Sequence, residues 1–100
     1  MKKITKESAK AYLNNNVYRK DNTKVVGSCF YLYDNLIAEK TNDKLYIYDG
    51  GFQSNTTKER LNGILYYFGL GHVFQKDFAW YYMDTDRKVV DFNNAMSFNI

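Results

Sequence analysis

The chain contains no proline, one cysteine, one histidine and six glycines among its 100 residues. Each scarcity excludes something. Without proline, glycine, asparagine and aspartate must make the turns. A lone Cys29 cannot form an internal disulfide and fits a reducing compartment. Its place in an apolar run reads as a buried, inert thiol. One cysteine and one histidine cannot build a zinc cage, and Asp84, Thr85 and Asp86 lack the glycine and distal glutamate of a calcium loop. His72 has no nucleophile or orienting group beside it in sequence, so no catalytic triad is expected. No apolar run is long enough to span a bilayer. The basic start, Met1-Lys2-Lys3, is followed by no apolar stretch, so no signal peptide is expected. A DNA mimic's acidic excess is missing too: the net charge is +3, with Lys2, Lys3, Lys6 and Lys10 reading as a solvated helix face. The expectation is a cytoplasmic protein that is not an enzyme, carries no cofactor or metal and touches no membrane.

Tyrosine, by contrast, is abundant: there are ten. In Ser28-Cys29-Phe30-Tyr31-Leu32-Tyr33, Phe30 and Leu32 alternate with Tyr31 and Tyr33. In Lys44-Leu45-Tyr46-Ile47-Tyr48, Leu45 and Ile47 alternate with Tyr46 and Tyr48. Side chains on a strand point alternately to opposite faces. One sheet face is therefore expected to be aliphatic and the other lined with phenols, which combine apolar area with a polar tip.

A hydrophobic content of 45% supports one domain over residues 1–100. A short first helix is expected, with Thr5 as cap, Ala9, Tyr12 and Leu13 at helical spacing, and a stop at Asn14-Asn15-Asn16. Strand-like runs follow over 22–26, 29–33, 36–40 and 44–49. Turns are expected at Gly27-Ser28, Asp34-Asn35 and Thr41-Asn42-Asp43, and connections this short force antiparallel neighbours. In the second helix Thr56 and Glu59 have capping-box spacing. Leu61, Ile64, Leu65 and Phe68 form one stripe, expected to pack on Leu45, Ile47, Phe30 and Leu32. Gly69 ends this helix, and Gly63 inside it marks close approach to the sheet. Runs over 72–76, 78–83 and 88–92 are further strands, and the tail 93–100 either adds an edge strand or frays. The fold class is α+β: a twisted, mainly antiparallel meander packed on one face by one or two helices.

Gly50-Gly51, Ser54, Thr56 and Thr57 lie between a strand and a helix, a setting that suits anions, but the Lys-Ser/Thr ending of a P-loop is absent.

The stretch from Tyr31 to Asn62 resembles a group of small proteins encoded by bacteriophages. Its motifs are an "NxIA" strand (here Asn35-Leu36-Ile37-Ala38), a glycine–aromatic turn (Gly51-Phe52), and a "TTKxRLN" helix start (Thr56-Thr57-Lys58-Glu59-Arg60-Leu61-Asn62). An aromatic "WY" strand follows, here Trp80-Tyr81. Asp34 stands where the group has glycine, and the tail from Asn93 has no counterpart. The resemblance implies a phage source, and hence the host cytoplasm, without fixing a mechanism.

The functional expectation is a phage-type binding protein acting on a host protein or nucleoprotein complex, in its concrete form an inhibitor of a defence complex such as a CRISPR effector. The candidate partner-binding residues are Tyr31, Tyr33, Tyr46 and Tyr48, with Arg60 and Asn62 expected to reach the sheet rim or solvent on either side of Leu61. A nucleic acid or nucleotide is the alternative partner, stacked on the same tyrosines with Lys24, Lys40 and Lys44 beside them. A face so exposed also points to a homodimer that covers it.

Overall fold

A computed structural model of residues 1–100 shows helix α1 (Lys3–Leu13) followed by strands β1 (Tyr18–Lys20), β2 (Thr23–Val26), β3 (Cys29–Leu32), β4 (Asn35–Lys40) and β5 (Lys44–Ile47). Helix α2 (Asn55–Tyr67) precedes β6 (His72–Lys76), β7 (Ala79–Met83), β8 (Val89–Asp91) and β9 (Met96–Asn99). The fold is α+β, as expected. Its strands make two antiparallel sheets: a six-stranded one ordered β1-β2-β3-β4-β5-β9 and a three-stranded one ordered β6-β7-β8. The tail therefore adds an edge strand beside β5, after the chain has left the large sheet and returned.

Both helices end as their sequences dictate. After α1, Asn15 turns left-handed (φ 59°), the Asn16 amide bonds the Ala11 carbonyl and that of Asn15 bonds Tyr12. After α2, Gly69 does the same (φ 72°), with the Leu70 amide on Leu65 and the Gly69 amide on Tyr66. These paired bonds meet carbonyls that the helix leaves open. The helix starts differ from expectation. Lys2 precedes α1 without a side-chain cap, and Thr5 lies buried inside the helix. Ser54 caps α2 by accepting from the Thr57 amide, two residues before the expected Thr56–Glu59 pair, and Glu59 Oε1 instead accepts the Lys2 amide at 3.1 Å.

Alternation governs burial in the large sheet. Phe30, Leu32, Leu45 and Ile47 are buried while Cys29, Tyr31, Lys44 and Tyr46 are not. A bulge in β4 shifts the register from Tyr31↔Leu36 to Phe30↔Ala38, so that consecutive Ile37 and Ala38 are both buried and Glu39 returns to the outside. Leu61, Ile64 and Leu65 join Phe30, Leu32, Leu45 and Ile47 in one core, and Phe68, at the helix end, is half-buried against it. The small sheet contributes Val73, Trp80 and Tyr82 to this same core, with the Tyr82 ring 4.7 Å from Phe98 of β9. The inner face of the large sheet is thus covered by two helices and a second sheet.

Gly63 marks close packing, but against α1 rather than the sheet. A Cβ there would lie 2.3 Å from Thr5 Cγ2 and 3.6 Å from Ala9 Cβ. Cys29 also departs from expectation: it is half-exposed on the outer face, its Sγ 3.9 Å from Glu39 Oε2.

Candidate interaction surface

The large sheet's outer face is the candidate site, and strand register assembles it. Lys24 lies opposite Tyr31, which lies opposite Leu36. In the next row Cys29, Glu39, Tyr46 and Ser97 follow one another across β3, β4, β5 and β9. Tyr48 continues beyond β5, its amide bonded to the Ile37 carbonyl at 2.8 Å. Tyr31, Tyr46 and Tyr48 are all half-exposed. The Lys24 ammonium sits 4.8 Å from the Tyr31 ring centroid, a cation–π contact. Burial, followed by the nearby Glu39 carboxylate and Tyr46, raises the Tyr48 phenol above its ordinary pKa. The face is therefore aromatic with one basic edge and a carboxylate among its tyrosines.

Tyr33 does not join it. Leu32 pairs with Asn35, so Tyr33 and Asp34 form a two-residue hairpin turn with φ of 51° and 63°. Such a turn needs left-handed geometry at both central residues, and here it falls one position before the expected Asp34-Asn35. Tyr33 is 61% exposed at this hairpin end. It stands between an open groove of about 490 Å³, lined by Arg19, Asn22 and Lys24, and a second of about 390 Å³, lined by Ile37, Phe52 and Thr57.

Arg60 points inward, contrary to expectation. It is 4% exposed, donating from Nε to Thr23 Oγ1 at 3.1 Å and from Nη1 to Thr5 Oγ1 at 2.8 Å. Burial lowers its pKa, opposed by the Glu59 charge, yet a guanidinium stays protonated through the physiological range. Arg60 thus fastens α2 to α1 and β2. Asn62 is also committed within the fold: its carboxamide donates to the Val73 carbonyl at 2.9 Å and accepts the Val73 amide at 2.7 Å. It meets β6 as a neighbouring strand would.

The lysines expected beside the tyrosines divide. Lys24 belongs to the face, and Lys44 bonds Asn99 Oδ1 at 2.8 Å. Lys40 turns to the inner side, where its ammonium bonds the Tyr12 carbonyl near the end of α1 and lies 4.7 Å from the Tyr12 ring. At the glycine turn before α2, the Gly51 amide is taken by Asp49 Oδ1 and the Thr57 amide by Ser54 Oγ. Those amides are not free to bind an anion. No three His, Cys, Asp or Glu side chains come together in a metal-binding group.

Sequence reasoning passed over a second aromatic surface. On the outer side of the small sheet, Phe74 stacks on Tyr81 (5.6 Å, 27°) with His72 5.9 Å from Phe74. The parity of Val73, Trp80 and Tyr82 would have revealed it. Phe78, read as a strand residue, is 94% exposed in the β6–β7 turn at φ 68°. No glycine marks that turn, so its composition gave no signal.

These features define an α+β protein whose large sheet is packed on one side and open, aromatic and unpartnered on the other. The chain belongs to the Kyanoviridae Gp96 protein family, which matches residues 1–99, and is accordingly a bacteriophage protein. No curated protein and no solved structure matches it. No helix is long and apolar enough to cross a membrane.

Proposed function

We propose that this phage protein is a non-enzymatic binder that acts on a host macromolecule in the host cytoplasm, through the outer face carrying Tyr31, Tyr46 and Tyr48. The supporting observation is that three half-exposed tyrosines share a face that no other element of the chain covers. Tyrosine is favoured at protein interfaces because it brings large contact area with little side-chain entropy to lose. Roughly 800 Å² per partner is enough for a specific complex, within reach of a six-stranded face. A host defence complex, such as a CRISPR effector, is the concrete target. Arg60 and Asn62, committed to partners inside the fold, are not part of that surface, and Tyr33 lies at its margin.

Glu39 among the tyrosines and the inward turn of Lys40 favour a protein over a nucleic acid as the partner. The experiment is capture from host lysate, with and without nuclease, by the native chain and by Tyr46→Ala and Tyr48→Ala. Each substitution should leave the fold intact and weaken binding by about 2 kcal/mol or more. A steep loss of binding with salt would transfer the face to nucleic acid. Unchanged capture by both variants would leave the tyrosines a structural role only.

A further inference from the structure

Four strand edges are open to compare, and three are guarded. Strand β1 is three residues long and carries exposed Arg19 and Lys20. At β6 the Asn62 carboxamide occupies the backbone groups of Val73. Strand β8 is again three residues and ends in Asp91. The fourth, β9, reads Met96-Ser97-Phe98-Asn99 and has no charge, proline or blocking side chain. Charges, brevity and covering groups are the usual means of preventing edge pairing. β9, one residue longer than β1 or β8 and continued by the Ile100–Asp43 bond, carries neither charge nor covering group.

Its backbone is set for a further strand. In antiparallel pairing, alternate residues turn both backbone groups to the same neighbour. The Ile100 amide bonds the Asp43 carbonyl at 2.9 Å, so Asn99 and Ser97 turn theirs to the free edge. Beside that edge Met96 and Phe98 are only half-buried, and Ile100 is 42% exposed.

We propose that β9 is a homodimerisation edge, pairing antiparallel with β9 of a second copy about a two-fold axis at Phe98. The sequence is self-complementary in that register. Ser97 meets Asn99 of the other copy in both directions, giving four backbone hydrogen bonds. On the inner side Phe98 meets Phe98, and Met96 meets Ile100, so every pair is apolar. No like charges oppose each other, whereas β1 paired with itself would bring its cations together. A second copy is therefore the occupant that this edge fits. The dimer covers an edge and leaves the tyrosine face open, so it stands whether or not that face binds a host partner. Because Tyr46 lies next to Ser97, it also joins two tyrosine faces into one continuous sheet.

The test is the mass in solution by sedimentation velocity over a range of concentrations. Wild type should sediment at twice the chain mass of 11.8 kDa. Ser97→Pro removes an amide that β5 does not use, and proline is tolerated on an edge facing solvent. It should weaken the dimer about thirtyfold, through two lost hydrogen bonds across the axis, with circular dichroism unchanged. Should that variant misfold, S97E/N99E decides, since it sets carboxylates opposite one another on the outer face without touching the β5 ladder. A monomeric wild type at the highest concentrations, or a dimer that survives these substitutions, overturns the proposal.

Discussion

Gly63→Ala sets two effects against each other. Inside a helix, alanine is favoured over glycine by about 1 kcal/mol, so helix propensity alone predicts a more stable protein. The added Cβ would lie 2.3 Å from Thr5 Cγ2, 3.5 Å from the Thr5 carbonyl and 3.6 Å from Ala9 Cβ. Only the first is a clash, since carbon atoms rest about 3.5–4.0 Å apart, but more than an ångström must be found. Thr5 cannot rotate freely to supply it, because its hydroxyl accepts from the buried Arg60 guanidinium at 2.8 Å. Relief requires either moving the helices apart or weakening a charge-assisted hydrogen bond. Together these cost about 3 kcal/mol, leaving a net loss of about 2 kcal/mol. Urea unfolding followed by fluorescence of Trp80, the one tryptophan and a buried one, measures this directly. Thr5→Ser then supplies the control, deleting Cγ2 while keeping the hydroxyl that Arg60 needs. In the Gly63→Ala background it should restore about 1–2 kcal/mol, a coupling expected only of residues in contact. A Gly63→Ala protein at least as stable as wild type, or no rescue by Thr5→Ser, would refute the close α1–α2 crossing.

Arg60→Ala should destabilise the fold by about 2–4 kcal/mol, since it empties a buried site and leaves Thr5 and Thr23 without their donor; a near-neutral urea midpoint would contradict its place in the core. Asn62→Ala should cost about 1–3 kcal/mol by orphaning both backbone groups of Val73, and hydrogen exchange should show the Val73 amide losing protection first. Alkaline pH should also unfold the protein. Burial holds the Tyr12 phenol far above its ordinary pKa and raises that of Tyr82. The native state therefore keeps protons that the unfolded chain releases near pH ~10. The stability these groups contribute is complete below that pH and is lost above it. Urea midpoints that stay flat from neutral pH to well past 10 would contradict this burial, whereas Tyr12→Phe should flatten the decline.

The fold was legible wherever a local period decided it. Parity placed Phe30, Leu32, Leu45 and Ile47 inside, and the helical stripe placed Leu61, Ile64 and Leu65 against them. The helix stops at Asn14-Asn15-Asn16 and Gly69 were equally local, because left-handed geometry favours those residue types. Strand β1 escaped notice, since Tyr18-Arg19-Lys20 has no alternation to read. The division into two sheets was not readable either: pairing β9 with β5 depends on the chain returning across more than forty residues. Gly63 shows the same boundary. Its presence in a helix signalled close packing, but only the tertiary structure says that the neighbour is Thr5.

The candidate site divides along the same line. Tyr31 and Tyr46 stand opposite in parity to buried neighbours, so their outward placement follows from the core and needs no knowledge of a partner. Tyr33 was misplaced by one residue of turn register, the kind of slip that redirects a side chain completely. Arg60 and Asn62 lie about 100° to either side of Leu61 on the helix, where a polar side chain can turn outward or find partners within. Hydroxyls at Thr5 and Thr23 and an unpaired strand edge at Val73 decide for the interior. The polar groups that sequence proximity offered to the site are therefore spent on holding the fold together. The tyrosines are not, as none of Tyr31, Tyr46 and Tyr48 belongs to the buried core. Tyr46→Ala and Tyr48→Ala should therefore leave the urea midpoint nearly unchanged, whereas Arg60→Ala and Asn62→Ala should lower it.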